Sequence, residues 1–165
     1  MILYIRQKVF SWGDHFTVKD EFGEDKYMVQ GEVFSWGKEL HICDMTGREV
    51  LFIKQELFSF LPRYDIYRGQ RHIAQIKKEF TFLFPKYTVD ATNWEITGDF
   101  TAHDYCITEN SRIVVTISKQ WMTWGDSYQL NILDPADELL ALATVLTIDS
   151  ITDSQSGASV SVSSN

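Results

Sequence analysis

Residues 139–148, LLALATVLTI, read as a helix that is apolar on every side. At 100° per residue, Leu139, Leu140, Leu142, Val145, Leu146 and Ile148 leave no gap wider than about 100° around the axis. A helix of this kind has no face to offer water, so other parts of the chain must surround it. The segments upstream read as strands. The sequence therefore predicts a β-barrel threaded by its own C-terminal helix.

The limits of that helix are marked. Asp134 is a natural N-cap, Pro135 suits the first helical position, and Asp137 and Glu138 put negative charge at the positive end of the macrodipole. The predicted helix, 135–151, would be roughly 26 Å long. A barrel strand of about six to eight residues spans a similar height. The apolar run is shorter than the roughly 20 residues a membrane span needs. Asp134, Asp137, Glu138 and Asp149 bracket it where an anchor would carry Lys or Arg. Thr144 and Thr147 fit a buried helix if their hydroxyls bond back to carbonyls one turn earlier.

Upstream there is an internal repeat. Phe10, Phe34, Phe58 and Phe82 are spaced 24 residues apart. The first three units, 10–32, 34–56 and 58–79, each run from an aromatic opening through a short strand, a turn glycine (Gly23, Gly47, Gly69), a second strand and a closing Glu. A fourth unit keeps its FLF opening, and WMTWGDSYQLNIL (121–133) echoes the first. One hairpin per unit means one strand per 12 residues or so, the spacing of an all-β barrel or sandwich. Phe16 and Val18, Tyr64 and Ile66, and Tyr128, Leu130 and Ile132 alternate with polar neighbours, as half-buried strands do. Residues 50–53 and 113–117 are apolar on both faces, which suits strands covered on two sides or an oligomer contact. Counting hairpins gives roughly eleven or twelve strands, a ring wide enough for a helix of about 10 Å diameter.

At 165 residues and 44% apolar content, one domain is expected over 1–151, followed by a Ser-rich flexible tail, 152–165. The start, MILYIRQKVFSW, carries Arg6 and Lys8 and no small-residue cleavage site, so it does not read as a signal peptide. Cys43 and Cys106 lack CxxC spacing and read as buried, reduced thiols. Cytoplasmic location is the expectation.

The run from Leu3 to Gln55 with its doubled FSWG, the hairpin RYDIYRGQRHIAQIKKEF (63–80), the segment WEITGDFTAHDY (94–105) and the terminal apolar helix together resemble the LURP-one-related family. The resemblance covers all but the tail. That family is similar in fold to the tubby C-terminal domain and the phospholipid scramblases. The resemblance implies a mainly β, closed antiparallel barrel of about twelve strands around a central hydrophobic C-terminal helix, the architecture that the periodicity reaches separately. It carries no catalytic residues onto this chain. The proline-rich and cysteine-rich segments and the membrane helix associated with scramblases are missing here, so the resemblance implies their fold without their activity.

No GxSxG, HExxH, Walker loop or GxGxxG is present, and no enzyme activity or cofactor is expected. His41 and Cys43 share a strand face, and His103, Asp104 and Cys106 lie close in sequence. Both groupings suit metal ligation less well than a structural role, because neither has a second ligand pair. Asp20, Glu21, Glu24 and Asp25 crowd one turn without the spacing of a calcium loop. Trp12, Trp36 and Trp124 each precede Gly at equivalent repeat positions, which suits packing at barrel ends better than a ligand cleft.

The strongest polar feature is a charge asymmetry. Between 63 and 86 stand Arg63, Arg68, Arg71, Lys77, Lys78 and Lys86 against Asp65 and Glu79, a net +4 in a chain of net −8. Arg and Lys clusters are what phosphate groups require. Tubby-type domains bind phosphoinositide headgroups through basic strand residues, so the resemblance implies an anionic phospholipid, or another phosphorylated ligand, at a membrane surface. Ordinary solvated strand charges are the competing reading. A pI near 4.9 argues against nucleic acid. The expected function is a non-catalytic intracellular binding module, with a protein-interaction or structural role, including homo-oligomerisation, as the alternative. A pocket uniting Arg63, Arg71 and Lys78 would favour the first, and a broad exposed apolar patch the second.

Overall fold

The computed structural model describes residues 1–6, 15–35, 37–122 and 125–160. Phe10, Trp12, Trp36, Trp124 and the last residues of the tail lie outside the described residues. The strands are β1 (Ile2–Arg6), β2 (His15–Lys19), β3 (Asp25–Phe34), β4 (Gly37–Asp44), β5 (Glu49–Gln55), β6 (Arg63–Arg68), β7 (Arg71–Lys78), β8 (Tyr87–Val89), β9 (Trp94–Asp99), β10 (Asp104–Glu109), β11 (Arg112–Met122) and β12 (Gly125–Ile132). A 3-10 turn, Pro135–Asp137, leads into α1 (Glu138–Val160). The strands form one closed antiparallel barrel in which each pairs with its sequence neighbours, and β1 returns to β12 from Ile2↔Asn131 to Arg6↔Ser127. The expected mainly β barrel around a C-terminal helix is the fold observed.

The repeat units are the hairpins. The first three hold β2–β3, β4–β5 and β6–β7, and each turn glycine has a positive φ (84° at Gly23, 85° at Gly47, 59° at Gly69). The acidic turn is a structural device that the next unit reuses. Asp20 Oδ1 accepts from the amides of Phe22 and Glu24 at 2.9 and 3.0 Å, and Asp44 Oδ1 accepts from Thr46 and Arg48 at 3.0 and 3.1 Å.

The repeat phase fixes two unlike ends. The hairpin turns gather where α1 begins: the Tyr27 hydroxyl donates to Glu138 at 3.0 Å, and Lys26 pairs with the same carboxylate at 2.5 Å. The loops between hairpins gather where α1 leaves. There Lys78 Nζ donates to Gln155 at 3.1 Å, and Lys38 bonds Ser154.

Side chains from alternate strand positions meet the helix. Phe16, Val18, Tyr64, Ile66, Tyr128, Leu130 and Ile132 are all buried, and Ala141 to Ile151 lie at 8% exposure or less. The Asp134 side chain caps Ala136 N at 2.9 Å, as its sequence position suggests. Three details depart from expectation. Leu139 and Leu140 sit at the barrel entrance and are half-buried. The Thr144 hydroxyl bonds back to Leu140 O at 2.8 Å, but Thr147 Oγ1 is buried without a partner among the described residues. The helix also runs on to Val160 instead of ending at Ile151, so the start of the Ser-rich stretch continues it out of the barrel.

Candidate functional site

The six basic residues do not form one cluster. In the β6–β7 register Arg63 faces Lys77 and Arg68 faces Arg71, so the two basic pairs sit at opposite ends of one hairpin. At 3.3 Å per residue the ends of β6 are about 17 Å apart. Arg68 lies at the helix entrance, lining a shallow depression with Arg48, Val50 and Leu139. Arg63, Lys77, Lys78 and Lys86 lie at the helix exit. Lys78 is partly sequestered there, and burial holds its ammonium below the usual lysine range. Lys86 pairs with Glu95 at 3.0 Å. A run that is contiguous in sequence is thus divided by the length of a strand.

Two apolar loops share the exit end, and the sequence reading placed their aromatic residues in hairpin openings. Phe58, Phe60, Phe80, Phe82, Leu83 and Phe84 are 70–100% exposed. The loops are neighbours: Lys78 N donates to Pro62 O at 3.1 Å, and Leu61 lies beside residues 80–85. The second loop is braced by Glu79 N to Lys86 O at 2.8 Å, by Thr81 Oγ1 to Phe84 O at 2.5 Å and by an edge-on Phe80–Phe82 contact with centroids 5.6 Å apart. A signal was available in the near-duplicate runs FSFLP (58–62) and FTFLFP (80–85). A proline closing each run argues against a paired central strand, which leaves the phenylalanines in loops. Between the second loop, the β9–β10 turn and the end of α1 lies a groove of about 960 Å³, lined by Phe82, Phe84, Tyr87, Phe100, Thr97 and Thr152 among others.

Beneath this end, the barrel interior is polar around Asp149. The buried Tyr128 hydroxyl donates to Asp149 Oδ2, and His103 Nε2 lies 3.3 Å from Oδ1. The His103 ring stacks on Tyr128, with centroids 4.1 Å apart, from a backbone with φ of 51°. Ser150 meets Tyr64 at 3.2 Å. Burial, reinforced by Asp149, pushes the Tyr105 and Tyr128 phenols well above the ordinary range, and burial raises Tyr87 to about 12. Burial, then repulsion from Asp149, raises the Asp153 carboxyl. A His–Asp pair of this kind orients a base only when a nucleophile meets the other ring nitrogen. Among the described residues His103 Nδ1 is buried without a partner, and through Asp149 and the Tyr128 ring the pair ties α1 to the barrel wall.

The other candidate residues have structural partners. His41 Nδ1 meets Glu49 at 2.6 Å, while burial and then Glu49 push the Cys43 thiol up. Both cysteines are half-buried, not buried as expected, because each sits on the outer face of its strand, and Cys106 lies on β10, opposite β4 across the barrel, too far for a disulfide with Cys43. His103, the last residue of the β9–β10 turn, points inward to Asp149, whereas Cys106 alternates with the buried Tyr105 and Ile107 and so faces away from the core.

Comparison with known proteins agrees with the geometry. The family model described as LURP-one-related matches residues 1–149. The Bacillus subtilis (strain 168) protein YxjI, itself uncharacterized, is 34% identical over 149 residues, covering 90% of this chain and 92% of that protein. The X-ray structure of an Arabidopsis thaliana protein superposes with a TM-score of 0.62, covering 90% of this chain and 89% of the other at 13% identity, a likeness of fold alone.

Proposed function

This chain belongs to the LURP-one-related family, and from that premise we propose that it is a non-catalytic binding module that docks its helix-exit end onto an anionic membrane surface. The observation that carries the reading is the coincidence, at one end of the barrel, of six exposed apolar side chains with Arg63, Lys77, Lys78 and Lys86. A contiguous exposed apolar patch marks an interaction site. Aromatic and leucine side chains on neighbouring loops, flanked by Lys and Arg, suit the boundary between headgroups and acyl chains.

The two components act together. Each Phe moved from water is worth up to about 1.5–3 kcal/mol, and each basic residue near an anionic surface about 1 kcal/mol. The net charge of −8 opposes non-specific attraction to an anionic surface, so in this reading the contact depends on the local combination of basic residues with exposed apolar side chains at this end. Among the described residues no helix is long and apolar enough to cross a membrane. In this reading the contact is peripheral and the protein is cytoplasmic, a location that two unpaired cysteines support.

Co-sedimentation with phosphatidylserine vesicles tests the proposal. Arg63→Glu with Lys77→Glu should abolish binding at low salt, whereas Arg68→Glu with Arg71→Glu should leave it nearly intact. Wild-type binding should weaken as salt rises. Absence of wild-type binding at low salt refutes the proposal. The same patch also fits an apolar protein interface, including a second copy of this chain. A concentration-dependent mass lost on Phe82→Ala, without vesicle binding, would establish that reading instead.

A further inference from the structure

The groove beside the second phenylalanine loop has a shape that surface docking alone does not require. Its volume, about 960 Å³, is at the upper end of the range for small-molecule sites. One wall is Phe82, Leu83 and Phe84, the floor includes Tyr87 and Phe100, and the far wall is the β9–β10 turn. The floor is rigid. Phe100 packs edge-on against Tyr87 and tilts on Tyr105, with centroids 4.9 Å away in each contact. Gly98 holds a φ of 139°, and a Cβ there would lie 2.6 Å from Tyr105, so the turn must press close to β10.

The groove lining is mostly apolar, with the hydroxyls of Thr81, Thr97, Thr101 and Thr152 among its polar groups. Lys86 lines it, Gln155 is already engaged by Lys78, and the Asp99 carboxylate is occupied by Thr101 Oγ1 at 2.7 Å and Ala102 N at 3.0 Å. A mostly apolar trough that Lys86 lines, with Lys78 beside it on Gln155 and its one lining carboxylate tied into a turn, complements an amphiphile whose negative head exchanges with Glu95 on the Lys86 ammonium. Its open side is also walled by the side chains that the docking proposal sets against the bilayer.

We propose that this groove takes a single fatty acyl chain of an anionic lipid, with the headgroup held near Lys86 and Lys78. The inference rests on the membrane-docking reading for its biological source of lipid, but the binding itself is measurable without a membrane. The full chain is titrated with 11-(dansylamino)undecanoic acid below its micellar concentration, without vesicles. Saturable binding of one probe per chain is expected. Saturated fatty acids should displace it with affinity rising about fourfold per added methylene until the groove is filled.

Thr97 is an exposed strand residue lining the groove, where an aromatic side chain is compatible with the strand. Thr97→Trp should weaken probe binding at least tenfold while leaving co-sedimentation with phosphatidylserine vesicles unchanged, and Thr97→Ser should behave as wild type. Thr97→Phe, a smaller aromatic at the same exposed strand position, should reproduce the loss if Thr97→Trp fails to fold. Non-saturable binding, or binding that neither blocking variant reduces, overturns the groove proposal even when vesicles bind. Saturable, chain-length-dependent and blockable probe binding without vesicle binding upholds the groove and refutes the docking reading.

Discussion

Tyr105 and Tyr128 are both buried beside Asp149, yet they should respond oppositely to loss of a hydroxyl. The Tyr105 hydroxyl has no hydrogen-bond partner among the described residues, so Tyr105→Phe removes an unsatisfied group and should be neutral or stabilising by up to about 1 kcal/mol in urea titrations. Tyr128→Phe strands a buried carboxylate oxygen and should cost about 1.5–3 kcal/mol. Asp153, one turn beyond Asp149, gives a pH signature. Its folded-state carboxyl is raised above the ordinary 3.8 by burial and by Asp149. It favours folding while protonated in both states, below about pH 4, and this contribution is lost as pH rises through the raised folded value. Asp153→Asn should therefore melt with wild type at pH 3.5 and above it at pH 7. Equal melting at both values would show that the carboxyl feels no burden in the fold. None of this cluster was legible in the sequence as a cluster. Tyr105, Tyr128, His103 and Asp149 come together only because the barrel closes around the helix, and residue spacing does not report that closure.

The helix was the most legible element, because an all-round apolar segment tolerates only burial. Leu142 is fully enclosed, so Leu142→Ala should cost about 2–5 kcal/mol, and Leu142→Asp, an unpaired charge inside the ring, should leave no cooperative unfolding transition. A chain ended at Leu133 should fail to fold. A chain ended at Gln155 retains the contacts to Lys38 and Lys78 and should melt within a few degrees of the full chain. The far end of the helix was not legible. Beyond Ile151 the sequence turns serine-rich and loses the apolar positions that report packing, so a continuing helix and a loose tail read alike. The hairpins were legible through Gly23, Gly47 and Gly69, whose positive φ is local chemistry. Exposure of the FSFLP and FTFLFP loops was not, since phenylalanine by itself is read as core and only Pro62 and Pro85 argued otherwise.

At the scale of the molecule, the barrel has an entrance end of hairpin turns, where Arg68 and Arg71 sit, and an exit end of apolar loops with Arg63, Lys77, Lys78 and Lys86. The sequence showed an excess of positive charge but not its division, because position along a strand becomes position along the barrel only once register is known. Both ends carry an exposed phenylalanine, which gives an internal control: Phe82 at the exit and Phe22, 82% exposed, in a hairpin turn at the entrance. The central claim is that the exit end, not the whole surface, meets the membrane. The direct measurement starts from a chain with Cys43→Ser and Cys106→Ser, into which Phe82→Cys or Phe22→Cys is introduced and labelled with the environment-sensitive dye NBD. On adding phosphatidylserine vesicles, the dye at position 82 should brighten and shift to the blue as it leaves water, while the dye at position 22 should stay unchanged. Equal responses at the two positions, or a response at 22 alone, would contradict the account.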